Sequence, residues 1–226
     1  MNFLTLDSSS KRLIVGIKSE NKEAGVLLNS IGKHGAFLMR AIKNLLEYAD
    51  LKTSELDFLG CGIGPGSLTG LRVGISTIKG LAYPFNLSVA TFCSLDMLAI
   101  STLLPEEKGV VARKGREGHY YWRRYRLTGG KLIRETHPAF SPLEELANKL
   151  DLDETIILEN AEHLNEFPEI NSRIARPPSI EDLLCLTEES YRHGGLVDLR
   201  ELNPYYLQKS VAEINWEKRY GKPENP

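Results

Sequence analysis

Cysteine is scarce in this 226-residue chain, and Cys61, Cys93 and Cys185 are odd in number and widely spaced. That excludes a disulfide framework and fits reduced thiols. No apolar run approaches the roughly 18 residues a membrane helix needs. The start, Met1-Asn2-Phe3-Leu4-Thr5-Leu6-Asp7, has no positively charged leader and reaches a carboxylate early, unlike a signal peptide. These absences predict a soluble, cytoplasmic protein with no membrane contact. An excess of one charge is also missing, because 28 Lys+Arg face 30 Asp+Glu for a formal net charge of -2. A global basic field is thereby excluded, so any contact with nucleic acid has to be local or shared with a partner. The five histidines, His34, His119, His137, His163 and His193, contain no pair four apart, and neither H-E-x-x-H nor Cys-x-x-Cys occurs. No metal site and no cofactor are expected on that basis. Glu159 and His163 are four apart, which reads as a surface contact.

The chain is long enough for one large domain or two small ones, each with an ordinary core. Alternating apolar runs predict strands at 3–7, 13–17 and 24–28, with a polar turn at 19–22. The period then changes to helical over 30–49, where Ile31, Leu38, Ala41, Ile42, Leu45, Leu46 and Ala49 recur on one face. A strand at 57–62, a glycine-rich turn, a helix over 70–83, a strand at 87–91 and a helix over 94–103 follow. The polar stretch 104–109 reads as a boundary. Beyond it the order repeats, with a strand at 110–113, hairpin arms at 119–127 and 131–137, a helix opened by Ser141-Pro142 with Pro142 as its first residue, a strand at 155–158 and a helix over 179–193. Two similar α/β lobes are predicted, 1–104 and 105–226.

The segment Gly62-Ile63-Gly64-Pro65-Gly66-Ser67-Leu68-Thr69-Gly70-Leu71-Arg72-Val73-Gly74 follows a strand and opens a helix, where backbone N–H groups can receive an anion. It matches neither the P-loop nor the dinucleotide spacing. A tight turn with Ser67 or Thr69 as helix cap explains it equally well. In the helix beyond, Leu71, Ile75, Ile78 and Ala82 form a core stripe, while Gly70, Val73, Gly74 and Thr77 form a strip of small residues that lets another helix approach. Phe37, Met39 and Tyr48 widen the apolar arc of the preceding helix to roughly 200°, about twice what one core-facing stripe needs. A partner helix on these two elements is therefore expected.

Asp7-Ser8-Ser9 places a carboxylate and two hydroxyls where a strand ends, suited to a phosphate or metal-bound water or simply to a polar turn. Residues 113–134 gather Arg113, Lys114, Arg116, Arg123, Arg124, Arg126, Lys131 and Arg134 against Glu117 alone, interleaved with His119, Tyr120, Tyr121, Trp122 and Tyr125. Such a mixture either grips phosphates and stacked bases or forms a hairpin whose aromatics face the core.

Leu6-Asp7-Ser8-Ser9, the block 64–75, Ala112-Arg113 with Tyr121-Trp122, and Pro204-Tyr205-Tyr206-Leu207-Gln208 resemble the TsaB/YeaZ family over nearly the whole chain. The resemblance implies the two-lobed fold of actin, hexokinase and heat-shock ATPases, of RNase H-like type. It implies a non-catalytic subunit in making threonylcarbamoyladenosine beside the tRNA anticodon, paired with the catalytic paralogue TsaD and joined by the ATPase TsaE. Self-association as a homodimer is implied as well, with tRNA met mainly through the complex. The family's subunit contacts put Phe37, Leu38, Ala41, Gly70, Val73, Gly74 and Thr77 at the interface. Asp7, Ser8 and Ser9 match a superfamily nucleotide turn, reduced here to a remnant. Where TsaD-like relatives carry two metal-binding histidines, this chain has His34 and Leu38, so the older glycoprotease label finds no ligand pair. Where the family commonly has Asp-Ala-Arg, it has Val111-Ala112-Arg113. Arg113, Arg123, Arg124 and Arg126 remain as a candidate RNA or partner patch. A reading of another class, a stand-alone ATPase or phosphotransferase using Asp7 and the glycine-rich turn, uses the same residues.

Overall fold

The computed structural model describes residues 1–29, 34–151, 153–208, 216 and 219. The chain opens with β1 (Phe3–Asp7), β2 (Arg12–Lys18) and β3 (Glu23–Asn29), then α1 (His34–Ala49), β4 (Phe58–Gly62), α2 (Leu68–Ala82), β5 (Val89–Phe92) and α3 (Ser94–Thr102). The second half runs β6 (Lys108–Lys114), β7 (His119–Thr128), β8 (Lys131–Arg134), β9 (Ala139–Pro142), α4 (Leu143–Asn148), β10 (Thr155–Leu158), β11 (Ser172–Ile174), α5 (Ile180–Arg192) and β12 (Leu196–Val197). The helix expected over 30–49 is described from His34; Ser30 and Ile31 lie outside the described residues. Pro142 ends β9 and caps α4 from outside, one position earlier than expected, because residues 139–142 pair with β7 before the chain turns helical.

Two six-stranded sheets result, and their strand orders repeat. The first runs β12-β5-β4-β1-β2-β3, with β1, β2 and β3 antiparallel and β1, β4 and β5 parallel. The second runs β11-β10-β6-β7-β8 with the same pattern of directions, and β9 added against β7. Five strands of each sheet correspond; β11, the counterpart of β5, had no signal in the sequence reading, and β12 and β9 are additions without a counterpart. In place of α2 the second lobe has a short 3-10 turn at Ala161–Glu166, which its sequence did not suggest.

The division at 104/105 is crossed by the elements that hold the lobes together. Helix α3, from the first half, lays Leu95, Met97, Leu98 and Ala99 on Val111, Tyr121, Tyr125 and Ile157 of the second sheet. Helix α5, from the second half, lays Leu184 on Phe3, Phe58 and Ala90 of the first, and β12 extends that sheet's edge. Thr187 of α5 meets Thr5 of β1 oxygen to oxygen at 2.7 Å, both buried. Gly60 makes this approach possible, since a Cβ there would stand 2.4 Å from the Thr5 hydroxyl and 2.5 Å from the Thr187 methyl. The layers are therefore α1 and α2, the first sheet, α5 with α3, the second sheet, and α4.

Asp96 anchors the exchange. It is 2% exposed, yet it accepts from Tyr125 Oη at 2.7 Å, Arg134 Nε at 2.6 Å and Arg123 Nη1 at 3.3 Å. Arg134 continues to Glu189 of α5 through two bonds of 2.8 and 2.9 Å. One carboxylate on α3 thus ties β7, β8 and α5 together. Removing one member of a buried charge cluster leaves the others unpaired, which costs about 3–5 kcal/mol. Asp96→Ala is expected to lower unfolding free energy by that amount in urea titrations; a loss below about 1 kcal/mol, the worth of an exposed pair, contradicts the anchor.

The hydrogen bonds from Arg134 hold the Glu189 carboxyl below its ordinary pKa, more than offsetting partial burial. A depressed folded pKa means stability present above the unfolded value, about 4.3 for glutamate, and lost as pH falls through the folded one. Melting temperature is expected to drop on acidification below that value, and to drop less steeply in Glu189→Gln.

Candidate functional site

The two lobes face each other across a cleft of about 1100 Å³. Its floor is made by the ends of β1 and β4 and the start of α3, all from the first half. Asp7 ends β1 and is 5% exposed, with Ser8 and Ser9 each at 1%. Asp7 Oδ1 accepts from the Ser9 backbone N–H at 2.9 Å and from Ser9 Oγ at 2.6 Å. Its Oδ2 accepts from Ser94 Oγ at 2.5 Å. Both carboxylate oxygens are engaged within the chain.

The glycine-rich turn wraps this floor. Ser67, not Thr69, caps α2, accepting from the Gly70 N–H at 3.3 Å. The Ser67 N–H donates to the Ser9 carbonyl at 2.6 Å, and Ser8 Oγ donates to the Gly70 carbonyl at 2.8 Å. Contact this close explains the glycines. A Cβ on Gly70 would lie 2.1 Å from the Ser8 carbonyl oxygen, and one on Gly74 would lie 2.2 Å from Ser8 Oγ. The small strip on α2 therefore receives the β1 turn of the same lobe, and a large residue at Gly74 disturbs the fold itself rather than an association.

Arg113 closes the floor from the second lobe. It is 7% exposed, and its Nη1 donates to Ser9 Oγ at 2.9 Å and to the Pro65 carbonyl at 2.7 Å. Its Nε and Nη2 pair with Glu159 at 2.8 and 3.2 Å. Burial works against its charge, but Glu159 and Asp7 keep its pKa raised. Gly66 has no room for a side chain, since its Cβ would stand 2.2 Å from the Ser9 carbonyl oxygen and 2.7 Å from Arg113 Nη1. The guanidinium thus joins the β1 turn, the glycine-rich turn and the loop after β10, filling the space between the lobes. Asp7, Ser9 and Arg113, far apart in sequence, are brought together. Ser94 and Glu159 complete the set, and neither carried a local signal: Glu159 serves Arg113, while His163 pairs with Glu166 at 2.9 Å instead.

The remaining arginines of the candidate patch do not join them. Arg123 bonds Asp96 and, at 2.7 Å, the Thr136 carbonyl. Arg124 bonds Glu154 at 2.8 Å and the Lys149 carbonyl at 2.7 Å. Arg126 pairs with Glu135 at 2.8 Å. Tyr120, Tyr121, Trp122 and Tyr125 are buried. The hairpin's aromatics face the core and Arg123 and Arg124 are held by internal partners, the second of the two readings the sequence left open, while Arg126 with Glu135 stays at the surface.

The expected interface set divides in the same way. Leu38, Ala41, Gly70 and Gly74 are buried in the first lobe's own core, so they present no surface to a partner. Phe37 is 44% exposed, and Val73 and Thr77 are half-buried. Met39 and Tyr48 are exposed too, at 53% and 57%.

Chemistry at thiols is disfavoured. Burial pushes the Cys93 thiol up to about 12, and it pushes Cys61 and Cys185 upward too. None supplies appreciable thiolate at neutral pH. Among the described residues no group of three or more His, Cys, Asp or Glu side chains is placed to hold a metal ion, and no helix is long and apolar enough to cross a membrane.

Arg113→Met strips Glu159 of its partner and leaves the Pro65 carbonyl unbonded. Loss of a buried pair member predicts a stability decrease of about 3 kcal/mol, read by urea denaturation. An unchanged midpoint contradicts the bridging role.

A family model described as TsaD, tRNA N6-adenosine threonylcarbamoyltransferase, matches residues 28–173. Over 98% of its length the chain is 22% identical to the tRNA threonylcarbamoyladenosine biosynthesis protein TsaB of Escherichia coli strain K12, covering 100% of that protein. It is 26% identical to the Haemophilus influenzae protein of the same name, covering 98% of each. The solved structure of YeaZ from Pseudomonas aeruginosa superposes with a TM-score of 0.79 at 25% identity, covering 91% of this chain and 99% of that one. A second Pseudomonas aeruginosa structure, described as similar to peptidase YEAZ, gives 0.80 at 25% identity, covering 92% and 99%. The chain belongs to the group defined by the TsaD model and, within it, to the TsaB/YeaZ family.

Proposed function

We propose that this chain serves the threonylcarbamoyl modification of tRNA adenosine as a subunit that supports a TsaD-type catalytic paralogue and performs no chemistry itself. The names of its full-length relatives give the pathway. The observation that carries the accessory role is the state of Asp7, whose two oxygens are taken by Ser9 and Ser94 while Arg113 fills the space above. A carboxylate so engaged, beside a guanidinium already bonded to Ser9, Pro65 and Glu159, is poorly placed to hold a metal-bound nucleotide. Support for a partner comes from α1, which keeps Phe37, Met39 and Tyr48 exposed after its core stripe is buried. These residues, together with Val73 and Thr77 on α2, are assigned here to contacts with TsaD, and with a second copy of the chain when TsaD is absent. TsaE, an ATPase, supplies nucleotide hydrolysis in this scheme.

Reconstitution tests the reading. The chain alone is expected to hydrolyse no ATP, and threonylcarbamoyl transfer to tRNA is expected only when it is added to TsaD and TsaE. Phe37→Glu with Tyr48→Glu should cut that activity at least tenfold and leave the melting temperature unchanged. ATP turnover by the chain alone, or full transfer without it, overturns the proposal.

A further inference from the structure

Arg123, Arg124 and Arg134 of the hairpin are tied to acids of the chain, but the cleft gathers other cations. Among the described residues its lining includes Lys11, Arg12, Arg113, Lys114, Arg116 and Arg176 with the acids Asp7 and Glu159, in a chain whose formal net charge is -2. Positive charge is thus concentrated in one concave place, where low-dielectric walls focus the field. The arrangement follows from the duplication. Lys11 and Arg12 lead into β2 from the β1 turn, and Lys114 and Arg116 lie at the corresponding β6 to β7 turn of the other lobe, so the two first hairpins face each other across the cleft. Arg176 follows β11, with Ile174, 44% exposed, and exposed Pro177 beside it as apolar surface. Lys114 keeps a carboxylate partner in Glu166, yet the lining remains cationic.

The depth of the cleft is not available to an anion. Arg113 is buried and already bonded to Ser9, Pro65 and Glu159, and Asp7 lies directly beneath. A phosphate is repelled by that carboxylate and finds Arg113 occupied, so the attraction acts at the rim. A ligand matching this pattern carries several phosphates along a line, with apolar faces between them, and bridges both lobes. At about 1100 Å³ the cleft lies just above the range of about 300–1,000 Å³ typical of a drug-sized ligand site. Cations beside apolar surface are the chemistry that holds single-stranded nucleic acid.

We propose that the rim of the interlobe cleft binds a single-stranded segment of RNA through its phosphodiester backbone, with Arg12 and Arg176 as contacts from opposite sides. The assignment of RNA rests on the tRNA-modification reading above, and it gives this subunit a direct hold on the substrate nucleic acid.

The test measures binding of the full chain to unmodified tRNA, to a 12-nucleotide single-stranded RNA and to Mg·ATP by fluorescence anisotropy or competition, across a salt series. Arg12→Gln with Arg176→Gln should weaken binding of both RNAs at least tenfold. It should also flatten the slope of log affinity against log salt by about 1.4, at roughly 0.7 per single-strand phosphate contact. Arg126→Gln, on the hairpin and outside the cleft, should leave both unchanged. Arg176→Gln alone, at an exposed position, should give a slope change of about half that size and guards against misfolding of the double variant. Absence of RNA binding by the wild-type chain, or equal losses at Arg126, overturns the proposal. Mg·ATP binding lost in the double variant while RNA binding persists overturns it in favour of a nucleotide site. RNA bound at the cleft by a chain dispensable for threonylcarbamoyl transfer refutes the accessory role alone; a required chain whose RNA affinity ignores Arg12 and Arg176 refutes the cleft alone.

Discussion

Two helices change lobes, and the rest of the molecule is arranged around that exchange. Helix α3 leaves the first sheet to cover the second, and α5 returns to cover the first. Each sheet therefore buries one face against an element encoded in the other half, and neither lobe has a complete core alone. Asp96 makes the crossing specific, because a carboxylate at 2% exposure requires the donors that Tyr125, Arg123 and Arg134 bring. Apolar packing by itself would tolerate a helix sliding along the sheet; a buried charge with fixed partners does not.

With the lobes joined on one side, the cleft between them has a defined floor. In this chain that floor is filled by the protein's own groups. Asp7 is satisfied by two serine hydroxyls and one backbone N–H, and Arg113 reaches from the second lobe to bond the turns of the first. Val111, two residues before Arg113 on β6, is buried in the packing against α3. Arg113 thus adds a charged tie across the cleft to the apolar packing of α3 and α5.

Charge in the chain is nearly balanced, but balance in composition says little about distribution. The arginines of β7 and β8 each found an acid, Asp96, Glu154, Glu135 or Glu189, drawn from four different places in the chain. Those acids were spread through the sequence and revealed nothing by position. The cleft cations came together from two turns about a hundred residues apart and from the loop after β11, so the positive region arises from folding rather than from a basic run.

Much of the architecture was legible in the sequence. Apolar runs identified β1 to β8 and β10 but not the short β9, β11 and β12, helical spacing identified α1 and α2, and the repeat of element order announced two similar lobes, because those signals are local and each element must bury one face. The resemblance carried by the block 64–75 pointed to the family. What local pattern could not decide was the fate of each polar or small residue. Gly70 and Gly74 read as room for a partner and proved to be room for Ser8; Arg123 and Arg124 fitted either a phosphate grip or a core-facing hairpin and are internal ties; Arg113, Ser9 and Asp7 became one site only when the lobes met. Periodicity follows from chain geometry over a few residues, whereas a charge's partner and a glycine's neighbour here lie 27 to 104 residues away, and only the tertiary fold brings those together.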